Sequence, residues 1–128
     1  MIACRVPKDY TDAVRDMIRG AVELDETRDA DYIREQIEAD KFSPWMVLDH
    51  GTAKAAGVTK IDQIGPEKHL TIMYCEGADV PWRDVISEVE EFARSQGCSS
   101  VRIEGRPGWV KMLRSNGYIN RPFLEKRL

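Results

Sequence analysis

SSVRIEG (Ser99–Gly105), RPGWVKMLRSNGY (Arg106–Tyr118) and PFLEKRL (Pro122–Leu128) close the chain and read as strand, helix and strand. Val101 and Ile103 alternate with polar neighbours as a half-buried strand requires, and Pro107 pre-sets the backbone angle of a first helical turn. Asn116-Gly117 stops that helix, because glycine takes up the left-handed conformation of a helix end without steric cost. An aromatic residue, Tyr118, follows at once.

Upstream, Trp82 to Gln96 repeats Val85, Ile86, Val89, Phe92 and Ala93 at helical spacing and stops at Gly97. Before it, His69 to Cys75 is the most β-prone run of the chain. Its near-continuous apolarity at Leu70, Ile72, Met73 and Tyr74 marks a central strand covered on both faces. A helix joining two strands of one sheet is a crossover, so the Val101–Ile103 strand is expected to run parallel to the central one.

The N-terminal half supplies the remaining elements. Ile2–Val6 is a short strand ended by Pro7 and Asp9. Tyr10, Ala13, Val14, Met17, Ile18, Ala21 and Val22 recur every three or four residues and form one stripe of an amphipathic helix. Thr27 to Phe42 is more polar, with Tyr32, Ile33, Gln36 and Ile37 as a narrow seam, which predicts a lid-like second helix of modest burial ended by Ser43-Pro44. Trp45–Leu48 and Ala53–Ile64 then pair as a hairpin about Asp49–Thr52, and Gly65–Lys68 turns into the central strand.

Composition bounds the function. With 128 residues the chain has the size of one domain, and 42% hydrophobic against 32% charged residues gives an ordinary globular mixture. A net charge of −3, with Arg and Lys scattered among acids, argues against a nucleic-acid surface. Cys4, Cys75 and Cys98 are odd in number and lack CxxC spacing, so they read as reduced, buried thiols of a cytoplasmic protein. No signal peptide and no apolar run long enough for a membrane span is present, and His50 and His69 have no partner at metal-ligand spacing.

Taken together, the order is strand, two helices, three antiparallel strands, helix, strand, helix and one or two closing strands. This order, with the Gly-aromatic end of the last helix, resembles the GCN5-related N-acetyltransferases over essentially the whole chain. The resemblance implies an α/β (α+β) class, a GNAT-like mixed sheet in a single domain spanning residues 1–128. It also implies acetyl-CoA or another acyl-CoA as co-substrate, a small-molecule or protein amine as acceptor, and direct acyl transfer between them.

In that family the loop after the central strand opens a helix whose backbone N–H groups receive the coenzyme A pyrophosphate. The corresponding residues here are Tyr74, Cys75, Gly77, Ala78 and Arg83 for the donor, with Glu76 and Glu104 as bases for the amine. At the mouth between the two parallel strands, Arg106 offers an anion contact and Trp109 a stacking surface. Two departures stand out. The loop Glu76-Gly77-Ala78-Asp79-Val80-Pro81 has one glycine, a proline that removes a donor, and carboxylates where phosphates would lie. The position of the family's proton-donating tyrosine is Leu113, which has no proton to give.

An alternative reading accounts for the same residues without a ligand: Asp79 caps the helix, Pro81 starts it, and Trp109 is core. The stretch Gly105–Tyr118 and the basic last strand also resemble short acetyltransferase-like proteins of tailed bacteriophages. That resemblance implies a catalytically silent, virion-associated protein acting through protein partners in a phage assembly.

Overall fold

A computed structural model describes residues 1–23, 30–77, 80–104, 113–120 and 124–128 of the chain. Seven strands form one sheet: β1 (Ile2–Arg5), β2 (Phe42–Asp49), β3 (Thr52–Ile64), β4 (Glu67–Gly77), β5 (Ser100–Ile103), β6 (Ile119–Asn120) and β7 (Leu124–Arg127). Their spatial order is β1-β2-β3-β4-β5-β7-β6. Among the described residues four α-helices accompany them: α1 (Thr11–Met17), α2 (Arg19–Glu23), α3 (Ala30–Glu38) and α4 (Trp82–Ser95). All strand pairs are antiparallel except β4 with β5, the pair that the crossover through α4 makes parallel.

The central strand owes its place to its composition. Leu70, Ile72, Met73 and Tyr74 are all buried, and the near-continuous apolar run lets both faces of β4 be covered. On one face, Leu70 and Ile72 join Trp45, Val101, Ile103, Leu124 and the α4 residues Ile86, Val89 and Ala93. On the other, Met73 and Tyr74 join Met46, Val58 and the stripe Val14, Ile18, Val22, Ile33 and Ile37 from the first three helices. Each fully buried aliphatic side chain of this kind contributes about 1.5–3 kcal/mol by removal from water. The Trp45 indole is buried only because its N–H finds a partner, donating to Thr59 Oγ1 at 2.9 Å.

Several boundaries differ from expectation, each for a local reason. The second helix ends at Glu38, where Asp40 turns the chain with φ of +61°. Ser43-Pro44 therefore does not end a helix but lies inside β2. Pro44 needs no donor there, and its carbonyl accepts the Val6 N–H at 3.0 Å. The seam of α3 is narrow, yet Ile33 and Ile37 are wholly buried, so the helix is a core element and not a lid. Of the three cysteines only Cys98 is buried, while Cys4 and Cys75 are half-buried. Burial pushes the Cys98 thiol above its ordinary pKa. His69, read as a residue opening the strand, is buried at the base of the parallel pair with Nδ1 2.5 Å from Ser100 Oγ.

A polar cluster crosses the α4 face of the sheet. Glu90 of α4, only 3% exposed, accepts the Tyr118 hydroxyl at 2.9 Å and pairs with Lys126 Nζ of β7 at 3.1 Å. Burial first, and the adjacent Glu90 second, push the Tyr118 hydroxyl far above its ordinary pKa. An unfolded tyrosine loses its proton near pH 10 whereas this one keeps it, so the contribution is fully present below about pH 10 and falls as pH rises further. Urea unfolding between pH 9 and 11.5 is expected to show wild type losing up to about 1.4 kcal/mol per pH unit more than Tyr118→Phe.

Where β3 and β4 converge, Gly77 is required by packing. A Cβ at Gly77 would stand 2.7 Å from the Lys54 carbonyl oxygen and would collide with the Ala55 side chain. These obstacles belong to the paired strand, so Gly77→Ala is expected to lower stability by about 1–3 kcal/mol in a urea titration.

Candidate active site

The site begins with one extra residue. Val58 faces Tyr74 and Thr59 faces Ile72, so Met73 is a bulge on β4 with no residue opposite it on β3. Side chains along a strand alternate between faces, and the bulge resets that alternation. Ile72 packs beneath α4, Met73 and Tyr74 both pack beneath α1–α3, and Cys75 returns to the α4 side. Glu76 thereby falls on the α1–α3 face, where its carboxylate lies against Gly20 of α2.

The bulge coincides with the end of the parallel pair. The β4–β5 register runs from His69↔Ser100 to Ile72↔Ile103 and closes with the Glu104 N–H donating to the Ile72 carbonyl at 3.2 Å. Beyond that bond β4 continues for five residues to Gly77, paired among the described residues with β3, while β5 has ended. The two strands thus part at Ile72 and Ile103, with Met73–Gly77 along one side of the opening and Glu104 at its base. Glu104 is exposed and Glu76 half-buried, separated by roughly 13 Å of extended strand between the Ile72 and Glu76 positions.

At the top of the opening, α4 begins. Pro81 precedes the first turn, its carbonyl accepting the N–H groups of Asp84 at 3.0 Å and Val85 at 3.1 Å, while the Trp82 N–H is bonded to the Val80 carbonyl at 2.9 Å. Two of the first-turn donors are thus directed at neighbouring carbonyls, which weakens this helix start as an anion site. Arg83 is exposed on the same turn, and its carbonyl accepts the Asn116 side chain at 3.3 Å, tying α4 to the turn before Gly117. Gly117 has φ of +91°, as the expected helix stop requires.

Of the residues proposed for the donor, Tyr74, Cys75 and Gly77 lie along β4, with Tyr74 on the α1–α3 face and Cys75 on the α4 face, and Arg83 lies on the first turn of α4. Ala78, Arg106 and Trp109 lie outside the described residues, as does the suggested cap Asp79. Trp82 packs with Val47, Ala55 and Val85 over β2 and β3, away from the strand gap. Leu113, which stands where an acid was sought, is wholly buried in the α4-side core. A small apolar cavity of about 30 Å³ lies under α4, lined in part by the cross-strand row Trp45, Gly57 and Cys75. Among the described residues no cluster of His, Cys, Asp or Glu is arranged to hold a metal ion, and no helix is long and apolar enough to cross a membrane.

Solved structures share this fold. A predicted acetyltransferase from Clostridium acetobutylicum, solved with acetyl-CoA, superposes with a TM-score of 0.71 at 8% identity, covering 94% of this chain and 90% of that one. The ribosomal-protein-alanine N-acetyltransferase of Brucella melitensis gives 0.69 at 15% identity with full coverage of both chains. Tetrahymena GCN5 gives 0.69 at 7% identity, covering 93% and 86%. The fold is that of the GCN5-related N-acetyltransferases. No family model and no curated protein matches the sequence. At such low identity the likeness extends to the fold and stops there, and the resemblance of Gly105–Tyr118 to phage proteins rests on those residues alone.

Sequence reading missed three features: the Met73 bulge, the contact of Gly20 with Glu76, and the Glu90–Tyr118–Lys126 cluster. Only Gly20 left a trace, as a glycine inside an otherwise regular helical stripe.

Proposed function

We propose that this chain is an acyl-CoA-dependent N-acyltransferase whose donor enters where β4 and β5 part. The observation that carries the reading is the coincidence of the Met73 bulge with the last β4–β5 bond, which ends the sheet pairing in mid-sheet and turns Glu76 toward the α1–α3 face. Neighbours of this fold support it, one having been solved with acetyl-CoA and an aminoglycoside N-acetyltransferase with CoA.

In this reading the pantetheine arm lies in the opening alongside Met73–Gly77, and Arg83 faces the pyrophosphate as the cation of the first helical turn. An amine bound on the α1–α3 face attacks the thioester carbonyl. The new C–N bond forms, the C–S bond breaks, the amine proton passes to the Glu76 carboxylate, and the thiolate takes its proton from water because Leu113 has none to offer. Glu104, at the base of the opening and roughly 13 Å of strand away, is the competing candidate and takes the proton only of an amine bound at that end.

The test is thiol release from acetyl-CoA with a panel of primary amines, including an aminoglycoside and a protein N-terminal peptide. Amine-dependent release that saturates in acetyl-CoA is expected. Release no faster than buffer with every amine, together with no coenzyme A binding, would contradict the reading and leave a silent protein acting through partners.

A further inference from the structure

Glu76 is set in place from two sides: the β4 bulge turns it toward the helices, and α2 meets it there with a glycine. A Cβ built on Gly20 would stand 2.5 Å from Glu76 Oε1, 3.0 Å from Oε2 and 3.1 Å from Cδ. No real Cβ tolerates the first of these distances, so any side chain at position 20 must displace the carboxylate. The backbone itself does not call for glycine, because Gly20 is absent from the positive-φ positions and sits within a helical segment. Glycine is moreover the poorer helix former, so its presence there costs stability.

We propose that Gly20 is a positioning residue for the base: its missing side chain lets the Glu76 carboxylate rest against α2, which fixes the orientation in which the carboxylate meets the acceptor amine. The inference rests on the reading of Glu76 as the proton acceptor. It goes beyond that reading by assigning the orientation of the carboxylate to the helix that covers it. The glycine binds nothing and touches no reacting atom, and it acts through Glu76 alone.

The contact can be tested without any assay of activity. In a Glu76→Ala background, Gly20→Ala removes a flexible residue from a helix with the carboxylate, its nearest obstacle, gone. It should raise the midpoint of thermal unfolding by roughly 2–5 °C. With Glu76 present, the same substitution should give no gain or a loss, because the carboxylate must swing aside; the difference between the two backgrounds measures the coupling. Equal gains in both backgrounds would overturn the contact.

The catalytic half is read in the transfer assay. Gly20→Ala should lower kcat by about tenfold or more with KM for acetyl-CoA unchanged, since a shift of about 1 Å in a reacting group is felt on this scale. In a Glu76→Gln background, where no base remains, Gly20→Ala should bring no further fall in kcat, because the glycine acts through the carboxylate alone. An unchanged kcat in Gly20→Ala alone, or an equal further fall in the Glu76→Gln background, would overturn the positioning role. Failure of wild type to transfer acetyl groups would instead overturn the functional reading beneath it, and the thermal comparison would still decide the contact.

Discussion

Glu76→Gln lowers the kcat of acetyl transfer by roughly 10²- to 10⁴-fold, the usual range for removing a general base, with little change in affinity for acetyl-CoA. The amide keeps the shape of the carboxylate and its packing against Gly20, and it loses the ability to take a proton. A selective fall in kcat therefore separates a lost base from a disturbed site, since a disturbed donor channel would also weaken coenzyme A binding. Glu104→Gln provides the internal comparison. Glu104 lies at the exposed base of the opening, where its N–H makes the last β4–β5 bond. A comparable loss on substituting Glu104, with Glu76→Gln nearly inert, would move the base to the other side of the opening.

Glu90→Ala shows the largest loss of stability expected from a single side chain, about 3 kcal/mol by urea unfolding at pH 7. Glu90 is 3% exposed, and its two oxygens take the Tyr118 hydroxyl at 2.9 Å and Lys126 Nζ at 3.1 Å. Its removal leaves the Lys126 ammonium without its carboxylate and the phenol without an acceptor in an apolar surround, and each orphaned group bears a desolvation cost. Lys126 is about one-quarter exposed, which keeps the loss at the lower end of the range for buried pairs. The double variant Glu90→Leu/Lys126→Leu is expected to recover most of it, because neither charge is then left alone. A loss under about 0.5 kcal/mol in Glu90→Ala would show that water reaches the cluster and that the pair contributes as a surface ion pair does.

Much of the fold was legible because its signals are local. The continuous apolar run at Leu70–Tyr74, the amphipathic stripe from Val85 to Ala93 and the glycine stops at Gly97 and Gly117 each specify an element from neighbouring residues alone. Where reading failed, the deciding partner was distant in sequence. Pro44 looked like a helix end, yet it lies within β2 and its carbonyl accepts the Val6 N–H. Whether one or two strands close the chain stayed open because Ile119–Asn120 is only two residues long, and it pairs with β7 instead of extending it.

A candidate base could be named from the sequence, whereas its placement could not, for the same reason. Glu76 could be named from its place after the central strand, but the face it occupies depends on the bulge at Met73. That bulge exists only in register with Val58 and Thr59 of another strand. Had β4 alternated without interruption, Tyr74 and Glu76 would have shared the α4 face with Ile72. Gly20 acquires meaning only once that reversal brings Glu76 against α2.

The most direct measurement is a titration of the ¹⁵N-labelled protein with acetyl-CoA, followed through assigned backbone amides. The account predicts saturable shifts concentrated at Met73–Gly77, Arg83 and Glu104, along the opening between β4 and β5. Saturable shifts confined to other surfaces, or none at millimolar ligand, would contradict the claim that this opening is an acyl-coenzyme A site.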